Sequence, residues 1–235
     1  MCYYTSQRHM RDEVARFVKQ LDLPFTNSLP DIGPRYRIGP SQKQVVFRLG
    51  EDGTGQLELA EFNMVPPGAK ERPKRLLANA RSDGLTSKWP WKFVHRTKRA
   101  VAIIDGFFEP EKVAMSKDKA PWSYYQVNDG ALFFVAGFAP EFIVPDTGEI
   151  VPTCAFITVD ANPVMRVHNR MPAILDTVDA RAWVGGNEAP LELLKPYAPE
   201  TMSAWRVHDK AKNRNTPDGP GLIESVSDDI QGSLF

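Results

Sequence analysis

The chain has 235 residues, enough for one large domain or two small ones. Hydrophobic residues make up 42% and charged residues 25%, which is ordinary for a folded globular chain and excludes a disordered one. Lys plus Arg and Asp plus Glu each total 29, so the net charge points to no polyionic partner, and such a contact must come from local clusters.

The first segment, "MCYYTSQRHM", places Cys2 directly behind the initiator methionine. Removal of Met1, which a side chain as small as cysteine permits, would leave Cys2 with a thiol and a free α-amine on adjacent carbons. In "RDEVARFVKQLDL", Val14, Phe17, Val18 and Leu21 recur at helical spacing. This predicts an amphipathic helix that ends before Pro24. "PFTNSLPDIGP" reads as loop. Short β-rich runs follow: "QVVFRL", "QLELAEF", "RAVAIIDGFF", "WSYYQV", "ALFFVAGF" and "CAFITVD". Turn residues such as "EDGTG" separate them, and "VNDGAL" reads as a hairpin turn. Short helices are expected near "TVDARAWVG" and "APLELLKPY", and a further strand around "SAWRVHD".

With no internal repeat or low-complexity linker, the pattern predicts one α+β domain over residues 2–222. Its sheet is expected to be mixed, mainly antiparallel and barrel-like, with peripheral helices. Residues 223–235, "IESVSDDIQGSLF", read as a flexible acidic tail that ends in two large apolar residues, Leu234 and Phe235.

Cys2 and Cys154 alone make no disulfide framework, and no run is long enough to span a membrane, so a cytoplasmic monomer is expected. Cys154 reads as a buried strand residue. Four scattered histidines and two distant cysteines offer no ligand spacing, so no metal and no cofactor is expected.

Several polar residues stand inside or beside strand-like runs. "LLANARSDG" carries Asn79 and Arg81, "AVAIIDGFFEP" ends in Glu109, and "VMRVHNRMPAIL" holds His168 and Arg170. Each has an ordinary structural reading: Asn79 as a turn or cap, Glu109 as a solvated strand end, His168 as a structural histidine.

In combination and in this order, Cys2, "NAR" at Asn79 to Arg81, "DGFFE" at Asp105 to Glu109 and "HNRMP" at His168 to Pro172 resemble the SRAP family (SOS-response-associated peptidase). Members of that family are abasic-site processing proteins. "RYRIGP" and "NMVPPGAK" are similar to further family segments, and the likeness runs from residue 2 to about 222. Tyr3 and Tyr4 stand where family members commonly carry Gly-Arg. The resemblance implies a covalent DNA–protein crosslink through Cys2 that shields the lesion, with Cys2, Asn79, Glu109 and His168 as the catalytic residues. The family name also records a proposed peptidase activity, which would include removal of Met1.

The chemistry of these groups fits. An abasic site holds a small amount of open-chain aldehyde, and an α-amine with a pKa of roughly 7.7 to 8.0 is available as free base near neutrality. The amine of Cys2 can form an imine with the aldehyde, and the thiol then closes a thiazolidine on the same carbon. Glu109 would shuttle protons, and His168 would protonate ring oxygen or intermediates. Asn79 would orient the amine or a sugar hydroxyl. Arg81 and Arg170 suit phosphate, with an ion pair as the alternative for Arg170.

Single-stranded DNA is the substrate that the resemblance implies. The basic runs "HRTKR", "KERPKR" and "KAKNR" supply local charge, with Arg96, Lys98 and Arg99 as candidate contacts. Trp89 and Trp91 in "SKWPWK" offer stacking surfaces, or else pack the core. The tail "QGSLF", with Gln231, Leu234 and Phe235, resembles the pentapeptide by which bacterial repair proteins dock on the replication sliding clamp. Two other classes stay open on residues alone. One is an N-terminal-nucleophile amidohydrolase that uses Cys2 on an amide. The other is a single-strand DNA-binding module in which Cys2 plays no part.

Overall fold

The structure, a computed structural model, describes residues 4–110, 121–165 and 168–226. Its first strands are β1 (Tyr4–Gln7), β2 (Phe25–Asn27), β3 (Arg35–Ile38), β4 (Lys43–Leu49) and β5 (Gly55–Phe62). Then follow β6 (Asn79–Arg81), β7 (Arg99–Ile104), β8 (Gly106–Pro110), β9 (Trp122–Val127) and β10 (Phe133–Phe138). The last are β11 (Glu141–Ile143), β12 (Ile150–Asp160), β13 (Arg170–Pro172), β14 (Ile174–Leu175) and β15 (Met202–Val207). Among the described residues three α-helices accompany them: α1 (Arg11–Val18), α2 (Trp91–Val94) and α3 (Thr177–Val184).

The strands form two sheets. One has the order β15-β9-β8-β1-β3; the larger follows β11-β12-β10-β7-β4-β5-β2, with β6, β13 and β14 joined at its side. Pairing is antiparallel except where β5 meets β2 and β12, and where β6 meets β12. This is the mainly antiparallel α+β class that the sequence predicts. The central strands β4, β7 and β10 are buried almost throughout, so they read as continuous apolar runs. Half-covered β5 alternates, burying Leu57, Ala60 and Phe62. Stacked pairs lock the layers: Phe62 on Phe156 at 4.3 Å and Phe17 on Phe134 at 4.5 Å. Each such pair contributes about 0.5–1.5 kcal/mol beyond its area.

The early amphipathic helix and the short helix expected near "TVDARAWVG" both form. α1 turns Val14 and Val18 to the core, and Glu13 reaches back to the Met10 amide at 2.8 Å to close its first turn. α3 starts at Asp176, whose carboxylate accepts from the Asp179 amide at 2.8 Å. In its last turn sits buried Trp183, whose indole donates to the Ala100 carbonyl at 3.0 Å.

Five local readings are corrected. "PFTNSLPDIGP" contains the short strand β2, held because Phe25 packs edge-on to Phe47 at 6.0 Å and Gly55 donates to the Pro24 carbonyl. "RAVAIIDGFF" is two strands rather than one: the chain leaves the larger sheet at Asp105 and joins the smaller. "VNDGAL" is not a hairpin, because β9 pairs with β8 and β15 whereas β10 pairs with β7, β12 and β14. Its three residues Asn128, Asp129 and Gly130 all have positive φ and swing the chain between the sheets. "APLELLKPY" makes only a 3₁₀ turn at Leu191–Leu193, since prolines at 190 and 196 bracket too few residues for an α-helix. The packed unit also extends past Leu222. The Trp205 indole donates to the Ile223 carbonyl at 2.7 Å, and the Val226 amide donates to the Arg206 carbonyl at 3.0 Å. Residues 223–226 therefore run antiparallel to β15 instead of starting a tail.

Candidate functional site

Glu109 is placed by alternation along β8. Phe108 faces Tyr4 and Tyr124 in a small aromatic cluster, so Phe107 and Glu109 face the opposite side, toward the main core. Phe107 stacks on Tyr125 at 5.1 Å, and Glu109 is fully buried. Burial pushes its carboxyl up to about 7, because the charged form loses its hydration. Such a group is near half-protonation at neutral pH and can both give and accept a proton. Gly106 permits this strand to approach: a Cβ there would lie 2.0 Å from the Tyr124 hydroxyl.

β1 lies antiparallel to β8, with Tyr4 opposite Phe108, Thr5 opposite Phe107 and Ser6 opposite Gly106. Cys2 lies outside the described residues. The described part of β1, which follows it in the chain, begins at Tyr4, opposite the neighbour of Glu109.

Asp105 pins this pairing. It is fully buried, accepts from the Ser6 hydroxyl at 2.5 Å and from the Arg8 amide at 2.6 Å, and its own amide donates to the Ser6 carbonyl at 3.1 Å. The Arg8 guanidinium neutralises it at 3.2 Å. Ser6 has one proton, which goes to Asp105, so the Tyr124 hydroxyl donates to Ser6 Oγ at 2.8 Å.

The other motif residues gather around the C-terminal half of β12. β6 lies along one edge, with Asn79 opposite Phe156 and Arg81 opposite Thr158. β13 lies along the other, with Arg170 opposite Asp160 and Pro172 opposite Thr158. His168 enters β13 half-buried, and its Nδ1 accepts from the Arg170 amide at 3.2 Å. In the neutral ring the proton therefore sits on Nε2. Arg81 is exposed and fork-bonded to Asp83 at 2.7 and 3.0 Å, which pulls the Asp83 carboxyl down to about 2.

Asn79 and Arg81 open onto a cleft of about 550 Å³ shared with Arg75, Lys88, Trp89 and Pro40. Pro40 also lines a second cleft, of about 330 Å³, with Tyr4, Arg35, Arg37 and Arg214. Asn79 and Arg81 on one side and Tyr4 on the other thus line adjoining clefts that share Pro40.

Three sequence-predicted DNA contacts are structural instead. Trp91 lines the first cleft but is only 8% exposed and packs on Phe138 at 6.2 Å, so most of its ring serves the core. Arg99 is buried, donating to the carbonyls of Trp183, Gly185 and Gly186 at 2.6–2.7 Å and to that of Arg96. Arg170 is 5% exposed and pairs with Asp160 at 2.6 Å, while it also donates to the Thr158 carbonyl and to Ser82. It clamps β13 to β12 and leaves little of its guanidinium for a phosphate. Trp89, by contrast, is 62% exposed at the cleft rim; Arg96 is exposed and Lys98 half-buried. Cys154 is buried, which pushes its thiol well above the ordinary range and leaves it inert. Gln231, Leu234 and Phe235 lie outside the described residues.

Sequence reasoning missed Asp105, Arg35 and Arg37 as parts of the site. The alternation Arg-Tyr-Arg in a strand carried a signal for the last two, since it puts both guanidiniums on one face.

Comparison with known proteins points one way. The family model described as "SOS response associated peptidase (SRAP)" matches residues 1–214. The chain is 28% identical over 198 residues to the abasic site processing protein YoqW of Bacillus subtilis (strain 168), covering 82% of this chain and 86% of that one. It is 31% identical over 163 residues to the abasic site processing protein HMCES of Xenopus tropicalis, covering 60% of this chain and 48% of that one. Its fold matches a solved structure of a Bacteroides thetaiotaomicron protein with a TM-score of 0.80 at 20% identity, covering 96% of this chain and all of the other.

Proposed function

The chain belongs to the SOS response associated peptidase family, and we propose that it processes abasic sites in single-stranded DNA by covalent capture at Cys2. The observation that carries this reading is the pairing of β1 with β8. That pairing brings the strand that follows Cys2 alongside a buried carboxyl, Glu109, poised near pH 7.

Once Met1 is removed, the Cys2 amine adds to C1 of the lesion sugar as the bond from C1 to the ring oxygen opens. Glu109 in its protonated form gives its proton to the departing ring oxygen, which becomes a hydroxyl, and then takes up the proton that the nitrogen gives up. Water leaves to form the imine. The thiol then adds across the C=N bond, sulfur bonding to carbon and its proton passing to nitrogen, which closes a thiazolidine. Asn79 and the Nε2–H of His168 would hold the opened sugar and its oxygen from the β12 side. Trp89 and the cations Arg75, Arg81 and Lys88 would hold flanking nucleotides. The C-terminal Gln231 to Phe235 would tether the protein to the replication sliding clamp.

The test is incubation with an oligonucleotide carrying one abasic site, followed by denaturing electrophoresis and intact mass measurement. The expected product survives heating and has the mass of the protein lacking methionine plus the oligonucleotide minus one water. An adduct that retains Met1, or that forms equally with Cys2→Ala, would overturn the mechanism.

A further inference from the structure

The second cleft, on the Tyr4 side of Pro40, is not accounted for by the capture chemistry. It is lined by Tyr4, Arg35, Arg37, Gly39, Arg214 and Asp218, among others. Three guanidiniums face one carboxylate there, and that carboxylate is engaged: Asp218 pairs with Arg35 at 3.1 Å and accepts from the Tyr36 amide.

Arg37 is the unusual member. It is 8% exposed, and its donors go to backbone carbonyls, those of Ala211 at 2.9 Å, Asn213 at 2.8 Å and Thr216 at 2.7 Å. Carbonyl dipoles orient a cation without neutralising it, and no carboxylate among the described residues pairs with Arg37. A buried, un-neutralised charge is poorly screened by salt and gives the cleft a standing positive potential. The same bonds shape the 210–216 loop, and they present Arg214 at the rim. There its Nε donates to the Tyr4 hydroxyl at 3.2 Å. Gly39 makes room for that arrangement, because a Cβ would meet the Tyr4 ring at 2.6 Å.

We propose that this cleft is a phosphodiester subsite, in which Arg214 and Arg35 bind a backbone phosphate of the captured strand while Arg37 supplies fixed background charge. The inference rests on the abasic-site reading above. Tyr4 stands two residues after Cys2, so the bound phosphate belongs to a nucleotide adjoining the captured sugar. Planar guanidiniums suit a phosphodiester, and the hydroxyl of Tyr4 fixes the fork of Arg214 before the strand arrives.

The experiment measures equilibrium binding of a single-stranded oligonucleotide carrying a tetrahydrofuran abasic analogue, which cannot crosslink, over a range of salt. Arg214→Ala is expected to weaken binding and to lower the steepness of log K against log salt by about 0.7, the value for one lost phosphate contact on a single strand. Arg214→Lys, which keeps the charge, should restore most of the slope, and Arg16→Ala on exposed α1 should change nothing. An unchanged slope in Arg214→Ala, or equal losses in the Ala and Lys variants, overturns the subsite. Inorganic phosphate that binds wild type in an Arg214-dependent way while the oligonucleotide slope stays fixed also overturns it, by assigning the cleft to a free anion. Wild type that neither binds this probe nor crosslinks a true abasic oligonucleotide defeats the functional reading itself. A wild type that crosslinks normally beside an insensitive Arg214→Ala defeats only the subsite.

Discussion

The buried carboxylate of Asp105 accepts the hydroxyl of Ser6 at 2.5 Å, tying the first strand of the chain to the point where β7 leaves one sheet and β8 enters the other. Through this bond and the Arg8 amide, the register of β1 against β8 is held by side-chain chemistry as well as by the ladder. Asp105→Ala leaves the Arg8 amide and the Ser6 hydroxyl without their acceptor and the Arg8 charge without its partner. A loss of about 3 kcal/mol in urea unfolding is expected, and Asp105→Asn, which keeps one acceptor, should lose less. Crosslinking by Asp105→Ala should fall even at temperatures where the protein stays folded, because the strand that leads to Cys2 is no longer pinned.

Glu109 predicts a pH dependence with a definite sign. Folding raises its pKa from 4.5 to about 7, so the folded state holds the proton more tightly. Its contribution to stability is complete below about pH 4.5 and is lost as pH rises through 7, a change of about 3 kcal/mol. Glu109→Gln should therefore gain on wild type in urea unfolding between pH 5 and pH 8.5. Its crosslinking should be slower by about 10²-fold or more, with a flattened pH profile near neutrality. A variant that crosslinks at the wild-type rate would remove Glu109 from the proton path.

The two tryptophans of "SKWPWK" should separate cleanly. Trp91→Ala removes a core side chain and is expected to cost about 3 kcal/mol in stability. Trp89→Ala should leave the unfolding midpoint almost unchanged but weaken single-stranded DNA by about 1–3 kcal/mol if a base stacks on it. Anisotropy titration beside a thermal melt distinguishes the two.

Deletion of residues 231–235 tests the clamp proposal. The truncated protein should crosslink abasic DNA at the wild-type rate and lose affinity for the sliding clamp in surface plasmon resonance. Equal clamp affinity with and without the five residues would sink the idea.

Much of the candidate site could be named from the sequence because its residues sit in short, chemically distinctive runs. Asn79, Glu109 and His168 each stand at the edge of an apolar strand segment, where a polar group draws notice. Trp91, Arg99 and Arg170 were misread for a common reason: composition identifies a flat ring or a guanidinium but not which way it points. Each turned out to be aimed inward, at Phe138, at the Trp183–Gly186 carbonyls and at Asp160. Residues 223–226 were misassigned because two long-range bonds to β15 outweigh their acidic composition.

Period-two and period-3.6 patterns determined the long strands, α1, α3 and the fold class, because those periods depend only on which face meets water. The family motifs likewise needed nothing beyond residue order. What only the tertiary structure decided is which strands share a sheet, since the turn at Asn128–Gly130 and the break at Asp105 send neighbouring segments to different ones. It also decided that Glu109 is a buried acid with a pKa near 7, because desolvation depends on what covers a carboxyl and not on its neighbours in the chain.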